Sequence, residues 1–121
     1  MEFYDALMNH LEMVKTRNLE GFLSTLVQDH RLILILPNAS LLKGYGEVKK
    51  FHIDWFSDPA WSMETELMTS VVGSDLAQAL LKVDYNDTDE EGKSYTLHYF
   101  LSLTFILESG EWRLIMDQNT M

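Results

Sequence analysis

Among the side chains that could carry acid–base chemistry in this sequence, His10 has the most unusual setting. It lies with Leu7, Leu11 and Val14 on an apolar stripe whose spacing is that of one helix face. An imidazole titrates near neutral pH, and a buried one needs a hydrogen-bond partner. His10 is therefore a candidate general acid or base in a pocket. The alternative is a histidine in the core, or at the helix edge, that is hydrogen-bonded to a neighbouring strand.

Candidate polar contacts also occur in the last two strand patterns. His98 shares a predicted strand face with Phe100, Ser102 and Thr104, a mixed set typical of either a pocket wall or a polar dimer surface, whereas Tyr99 belongs to the apolar side. We treat His98 and Tyr99 as candidates for polarising a substrate oxygen, and Ser102 as a candidate ligand contact. Asp117 is a further candidate at a pocket mouth, although polar residues near a terminus are commonly just solvated.

Aromatic residues could supply flat surfaces for a ligand. Phe51 and Trp55 share a face of a predicted helix, and Trp61 follows directly after it. Aromatic side chains bury large areas and stack on planar molecules, but at helix and strand spacing they are also ordinary core residues. We therefore treat these three residues as candidate ligand contacts, with core packing as the alternative.

The sequence predicts neither a metal site nor a cofactor site. Asp87-x-Asp89-x-Glu91-Gly92 imitates the start of a calcium-binding loop, but its twelfth position is His98, where a bidentate Glu is needed. There is no cysteine, so thiolate ligands and thiol nucleophiles are excluded. Neither Gly-x-Ser-x-Gly nor a phosphate-binding glycine loop occurs.

Composition limits the partners. The formal net charge of −10 repels nucleic acid and anionic membrane surfaces. No apolar run approaches the length of a membrane span, and the first residues lack the basic start of a signal peptide. We expect a cytoplasmic protein of one domain, because 121 residues with 46% hydrophobic content suit one core.

The first half of the chain shows helical spacing with one strand. We predict a helix over residues 2–16, a second short helix capped by Asn18, a strand over 31–36 stopped by Pro37, and a third helix that begins at Gly44 and ends at Asp58-Pro59.

The second half shows the period of strands. From Trp61 to Val71 the odd-numbered residues form one predicted face, and Gly73-Ser74 forms a hairpin. Further strands are predicted from Leu76 to Tyr85, from Ser94 to Leu107 and from Trp112 to Gln118, with an exposed acidic loop at 86–93. Long strands that are apolar on both faces favour a homodimer formed through the sheet.

Three segments resemble a known group of proteins. They are Leu41-Leu42-Lys43-Gly44-Tyr45-Gly46-Glu47-Val48-Lys49-Lys50-Phe51, Val71-Val72-Gly73-Ser74-Asp75-Leu76-Ala77 and Ser109-Gly110-Glu111-Trp112-Arg113-Leu114. Together they are similar to SnoaL-like and ketosteroid-isomerase-like proteins of the nuclear transport factor 2-like (NTF2-like) superfamily. The resemblance implies one domain over 1–121 with a cone-shaped α+β fold, in which three N-terminal helices pack on a curved, mostly antiparallel sheet and a pocket lies between them.

The same resemblance argues against ketosteroid isomerisation. That chemistry needs a carboxylate base on the first strand, where this chain has Leu36 or Ile35, and a tyrosine and a protonated acid that hold an oxyanion. The matching positions here are His10 and the neighbourhood of Ser102. We therefore expect a protein that binds a small apolar molecule. The alternatives are an isomerase, dehydratase or hydrolase that uses His10 on a hydrophobic substrate, and a dimeric protein-interaction module.

Overall fold

The computed structural model describes residues 2–121. In this range the chain forms, in order, α1 (Phe3–Lys15), α2 (Leu19–Leu23), β1 (Ile33–Ile35), β2 (Leu41–Lys43), α3 (Tyr45–Ser57), β3 (Ser62–Val72), β4 (Leu76–Thr88), β5 (Ser94–Glu108) and β6 (Glu111–Thr120). The predicted α+β order of three helices and a long antiparallel hairpin series is confirmed.

The helix pair α1–α2 forms where the sequence pattern places it. The buried face of α1 comprises Phe3, Ala6, Leu7, His10 and Val14. Arg17 turns the chain with a φ of 55°. The Asn18 side chain then accepts a hydrogen bond from the Gly21 amide at 2.9 Å, which satisfies a free donor at the start of α2. The cap positions Phe22, a residue that is 1% exposed.

The six strands form one mixed sheet in the order β2-β1-β6-β5-β4-β3. All neighbouring strands are antiparallel except β1 and β6, which run parallel. The helices cover one face of this sheet, here called the inner face. Its fully buried side chains include Ala79, Leu81, Val83, Leu103 and Phe105. The core therefore lies between this face and the helices.

Two bulges interrupt the strand alternation. In β3 the register shifts between Leu67 and Thr69. The prediction that Thr69 and Val71 continue the face of Trp61 is therefore wrong; Val71 is 71% exposed. In β6, Leu114 pairs with Phe105 while Met116 pairs with Thr104, so one extra residue stands between them. Bulges bend a strand and increase its twist, which curves the sheet.

Other differences concern a short strand and the ends of two long ones. The strand β2 was not predicted, because three residues are too few for a periodic signal. The predicted loop 86–93 is shorter, since β4 and β5 pair as far as Thr88 and Ser94. Asp89 closes the remaining turn by accepting from the Glu91 and Lys93 amides. Within residues 2–121, no helix is long and apolar enough to cross a membrane.

Candidate functional site

A cavity of about 400 Å³ lies between the helices and the inner face of the sheet. Most of its lining is aliphatic or aromatic: Leu11, Val14, Phe22, Leu34, Leu36, Pro37, Phe51, Trp55, Met63, Leu97, Leu101 and Met121. Its polar lining residues are His10, Asn38, His52, Tyr85, Tyr99, Asp117 and Asn119. The site is therefore a mainly apolar hollow with a few convergent polar groups.

His10 faces this cavity from α1. Its Nδ1 lies 2.7 Å from Thr25 Oγ1, and the Thr25 hydroxyl donates its own hydrogen to the Phe22 carbonyl at 2.6 Å. The hydroxyl hydrogen is thus already used, so His10 Nδ1–H must be the donor to Thr25. Burial, and secondly the neighbouring His52, lower the pKa of His10 from 6.5 to about 3. At neutral pH the ring is uncharged and its Nε2 carries a lone pair.

His52, on α3, forms a matching arrangement that sequence reasoning missed. Its Nδ1–H donates to the Val48 carbonyl at 2.8 Å, and its ring stacks on Phe22 with 4.2 Å between centroids. Burial lowers the pKa of His52 from 6.5 to about 4, while the hydrogen bond to Val48 acts in the opposite direction. The sequence did contain one indication that His52 is buried: it follows Val48 by one helical turn and so lies on the apolar face of α3.

Asp117 faces the cavity because of the β6 bulge. Strict alternation from the buried Leu114 would place Met116 on the inner face, but the extra residue turns Asp117 inward, opposite the buried Leu103. Burial raises the pKa of Asp117 from 3.8 to about 7, and the hydrogen bond from Asn119 Nδ2, at 3.1 Å, partly opposes this shift. The residue is half-buried, since the cavity leaves part of its side chain accessible.

Tyr99, on β5, lines the same cavity as Asp117. It is 8% exposed, and its hydroxyl makes only a weak contact with Met63 Sδ at 3.9 Å. Burial, and then the charge of Asp117, raise the pKa of Tyr99 above its ordinary value of 10.0. Its hydroxyl therefore stays protonated and can donate to a bound molecule.

The three aromatic candidates take different places. Phe51 and Trp55 line the cavity. Trp61 lies behind Trp55, stacked at 4.1 Å between centroids with 12° between planes, and is 2% exposed. The Arg17 guanidinium lies 3.9 Å from the centre of the Trp61 ring. Trp61 therefore supports the wall without lining it.

His98 and Ser102 lie on the outer face of the sheet, which is the face away from the helices. His98 Nδ1 is 2.7 Å from Asp84 Oδ1, and both side chains are at least half exposed. Ser102 pairs with Leu80 and Gln118. Neither residue lines the cavity, because each is an odd number of positions from Tyr99 on the same strand. Within residues 2–121, no cluster of three or more metal-ligating side chains is present.

No known protein-family model and no curated protein matches this sequence. Solved structures do match it. A ketosteroid isomerase-like protein from Erwinia carotovora atroseptica SCRI1043 is 16% identical, with a TM-score of 0.80 over 97% of this chain and 91% of that one. An NTF2-like protein of unknown function from Shewanella oneidensis MR-1 is 15% identical, with a TM-score of 0.77 over 98% and 95%. The association domain of CaMKII from C. elegans is 16% identical, with a TM-score of 0.69 over 98% and 92%. At these identities the likeness shows a shared fold.

Proposed function

We propose that this NTF2-like fold binds a small, mainly apolar molecule in the cavity between its sheet and its helices. The observation that carries the proposal is the cavity itself, about 400 Å³ in volume and lined mostly by aliphatic and aromatic side chains. Ligand pockets commonly have volumes of several hundred Å³ and an apolar lining with a few orienting polar groups. A hollow of this size also lacks the close packing typical of protein interiors, which an apolar ligand would restore.

The aromatic wall suits a ring-containing ligand. Phe51 and Trp55 offer side-chain faces to the cavity. Trp55 is held in place by its stack on Trp61 and by a hydrogen bond from its Nε1 to the Tyr85 hydroxyl at 3.3 Å. A wall held in this way loses little conformational entropy when a ligand binds, which favours affinity.

A second candidate function is acid–base catalysis on a hydrophobic substrate. Asp117 favours it, because a carboxyl group whose pKa is about 7 exchanges protons readily at neutral pH. The Tyr99 hydroxyl, which lines the same cavity, could donate to a substrate oxygen. His10, the general acid or base of the enzymatic alternative drawn from the sequence, is the weaker candidate, since burial lowers its pKa to about 3.

The outer face of the sheet favours a homodimer as the assembly that carries this site. Apolar residues interrupt its polar surface: Phe100 is 47% exposed, and Leu80 and Ile106 are half-buried on the same face. Exposed apolar patches of this kind mark interaction surfaces, and a second copy would bring the same patch against itself.

A thermal-shift and calorimetric screen with small ring compounds tests the binding proposal. A ligand at about 100 times its Kd stabilises the folded protein by about 2.7 kcal/mol, which raises the Tm of a domain of this size by roughly 10 °C. Leu97→Trp places extra volume in the cavity, and we expect it to weaken binding at least tenfold.

The matched control is Ile53→Trp, because Ile53 on α3 is 45% exposed, does not line the cavity and lies away from the outer face of the sheet. It should bind like the wild type. The proposal fails if no compound of the screen raises the wild-type Tm, or if the Leu97→Trp protein binds with unchanged affinity.

A further inference from the structure

The two cavity histidines present hydrogen-bond acceptors. In both rings the Nδ1–H already donates a hydrogen bond: that of His10 to the Thr25 hydroxyl, and that of His52 to the Val48 carbonyl. Among the described residues, no side-chain nitrogen or oxygen sealed from solvent lacks a hydrogen-bond partner. Neither Nε2 has a partner in that range, so each must be accessible. His10 is 2% exposed and His52 is 4% exposed, and both line the cavity, so we take the cavity to be the space that each Nε2 reaches. Each Nε2 offers a lone pair there.

Asp117 and Asn119 add further acceptors. Asn119 Nδ2 donates both of its hydrogens, to the Ile35 carbonyl at 2.7 Å and to Asp117 Oδ1 at 3.1 Å. Its own Oδ1 remains an acceptor, and Asp117 Oδ2 has no partner within residues 2–121. Since no sealed side-chain oxygen among the described residues lacks a partner, Asp117 Oδ2 is accessible, and the residue it belongs to lines the cavity.

Donors are scarce in the lining. The Trp55 Nε1–H donates to the Tyr85 hydroxyl, and that hydroxyl donates its own hydrogen to Asp87 Oδ2 at 2.7 Å, so neither group has a hydrogen left for a ligand. Tyr99, Asn38 and the protonated form of Asp117 supply the remaining side-chain donors, and no Lys or Arg lines the cavity in the described part of the chain. A ligand carboxylate would therefore meet lone pairs and a second carboxyl group, at a high desolvation cost.

We infer that the polar group of the bound molecule is a protonated amine that lies against Asp117, with an apolar ring body in the rest of the cavity. The inference rests on the proposed binding function and specifies its ligand class. An ammonium group brings up to three N–H donors to a lining of acceptors, its charge complements the carboxylate, and it is attracted to the faces of Trp55 and Phe51. The net charge of −10 attracts cations to the protein as a whole.

The pairing makes binding depend on pH. Burial raises the pKa of Asp117 to about 7, and a bound ammonium would favour its ionised form. The other titratable groups of the lining are His10 on α1, His52 on α3, Tyr85 on β4 and Tyr99 on β5. All four are uncharged near pH 7, because the pKa values of the two histidines are lowered and those of the two tyrosines are raised. The amine should bind more tightly at pH 8 than at pH 6, with release of a proton from Asp117.

The test uses three compounds with one apolar body: 1-adamantanemethylamine, 1-adamantanemethanol and 1-adamantanecarboxylate. Calorimetry on the full chain should show the amine binding at least tenfold more tightly than the alcohol, and the carboxylate more weakly than both. Repeating the titration in two buffers of different ionisation enthalpy measures the released proton directly. This wild-type measurement needs no variant to fold.

Asp117→Asn should weaken amine binding at least tenfold and change alcohol binding less than threefold. Asp54→Asn removes the same charge from an exposed position on α3 and should leave both affinities unchanged. If the alcohol or the carboxylate binds as tightly as the amine, or if Asp117→Asn binds the amine like the wild type, the amine inference is overturned while apolar binding stands. If no compound of this set or of the wider screen binds, both proposals fall.

Discussion

At the scale of single residues, one cavity holds ionisable groups whose pKa values burial shifts in opposite directions. The pKa of His10 falls to about 3 and that of His52 to about 4, while that of Asp117 rises to about 7. In each case burial disfavours the charged form. The outcome is a lining that is close to neutral around pH 7 although it contains three groups that ordinarily carry charge.

Asp117 should make stability depend on pH. Its pKa is raised from 3.8 to about 7, so the folded protein holds a proton that the unfolded chain releases in this window. Its contribution to stability is fully present below about pH 4 and is lost as the pH rises through about 7. Asparagine does not titrate, so Asp117→Asn should become more stable relative to wild type by a few kcal/mol between pH 4 and pH 8.

Urea unfolding at a series of pH values measures this difference. The histidines act in the reverse sense, since their lowered pKa values remove stability as the pH falls below about 6.5, but their contributions cancel when the variant is compared with wild type at each pH. Asp54→Asn, at an exposed position on α3, serves as the control for the same change of residue type outside the cavity. A flat difference for Asp117→Asn would show that its carboxyl group is not desolvated.

At the scale of elements, short segments position the cavity wall. The helix α2 has five residues and depends on the Asn18 cap, yet it carries Phe22, whose ring lies 5.2 Å from the His10 ring and 4.2 Å from the His52 ring. Helices this short gain little from their own hydrogen bonds and are stabilised by caps and tertiary packing. The cap is thus connected directly to the geometry of the site.

Asn18→Ala should lower the free energy of unfolding by about 1 kcal/mol, because the Gly21 amide loses its acceptor. Chemical denaturation monitored by circular dichroism measures the change. Asn18→Ser keeps an acceptor oxygen and should retain most of the stability. Equal losses for the two variants would contradict the capping role and indicate a cost of some other origin at this position.

At the scale of the whole molecule, the sheet has one face covered by helices and one face free. Phe100 is the large apolar side chain at the centre of the outer face, 47% exposed between Lys82 and Thr120 on the neighbouring strands. Covering such a face with a second copy removes apolar area from water. The proposed dimer therefore buries the outer face and leaves the cavity of each copy on the opposite side.

Phe100→Glu should convert a dimer into a monomer, because each interface would then bury two like charges. Light scattering coupled to size-exclusion chromatography should give twice the 14.1 kDa chain mass for wild type and the single mass for the variant. Ile53→Glu changes an exposed apolar residue on α3, 45% exposed, and should remain dimeric. A monomeric wild type at about 100 µM would remove the dimer proposal.

The sequence by itself determined the order of the three helices and the long strands, and which residues of β5 share a face. Local spacing specifies which residues share a helix or strand face, and this was enough to group His10 with the apolar stripe of α1 and Tyr99 with the apolar residues on one side of β5. Which side of β5 faces the helices was not determined in this way. The Asn18 cap involves a residue only three positions away, so it too could be predicted from the sequence.

Only the tertiary structure decided which polar groups enter the cavity. Asp117 faces inward because β6 carries an extra residue opposite β5, and the alternation within one strand cannot reveal a mismatch between two strands. Strand β2 forms because β1 supplies its pairing edge, and His52 gains its altered pKa from the rings and helices that surround it. Register, pairing and burial are relations between distant segments, so no stretch of sequence taken alone contains them.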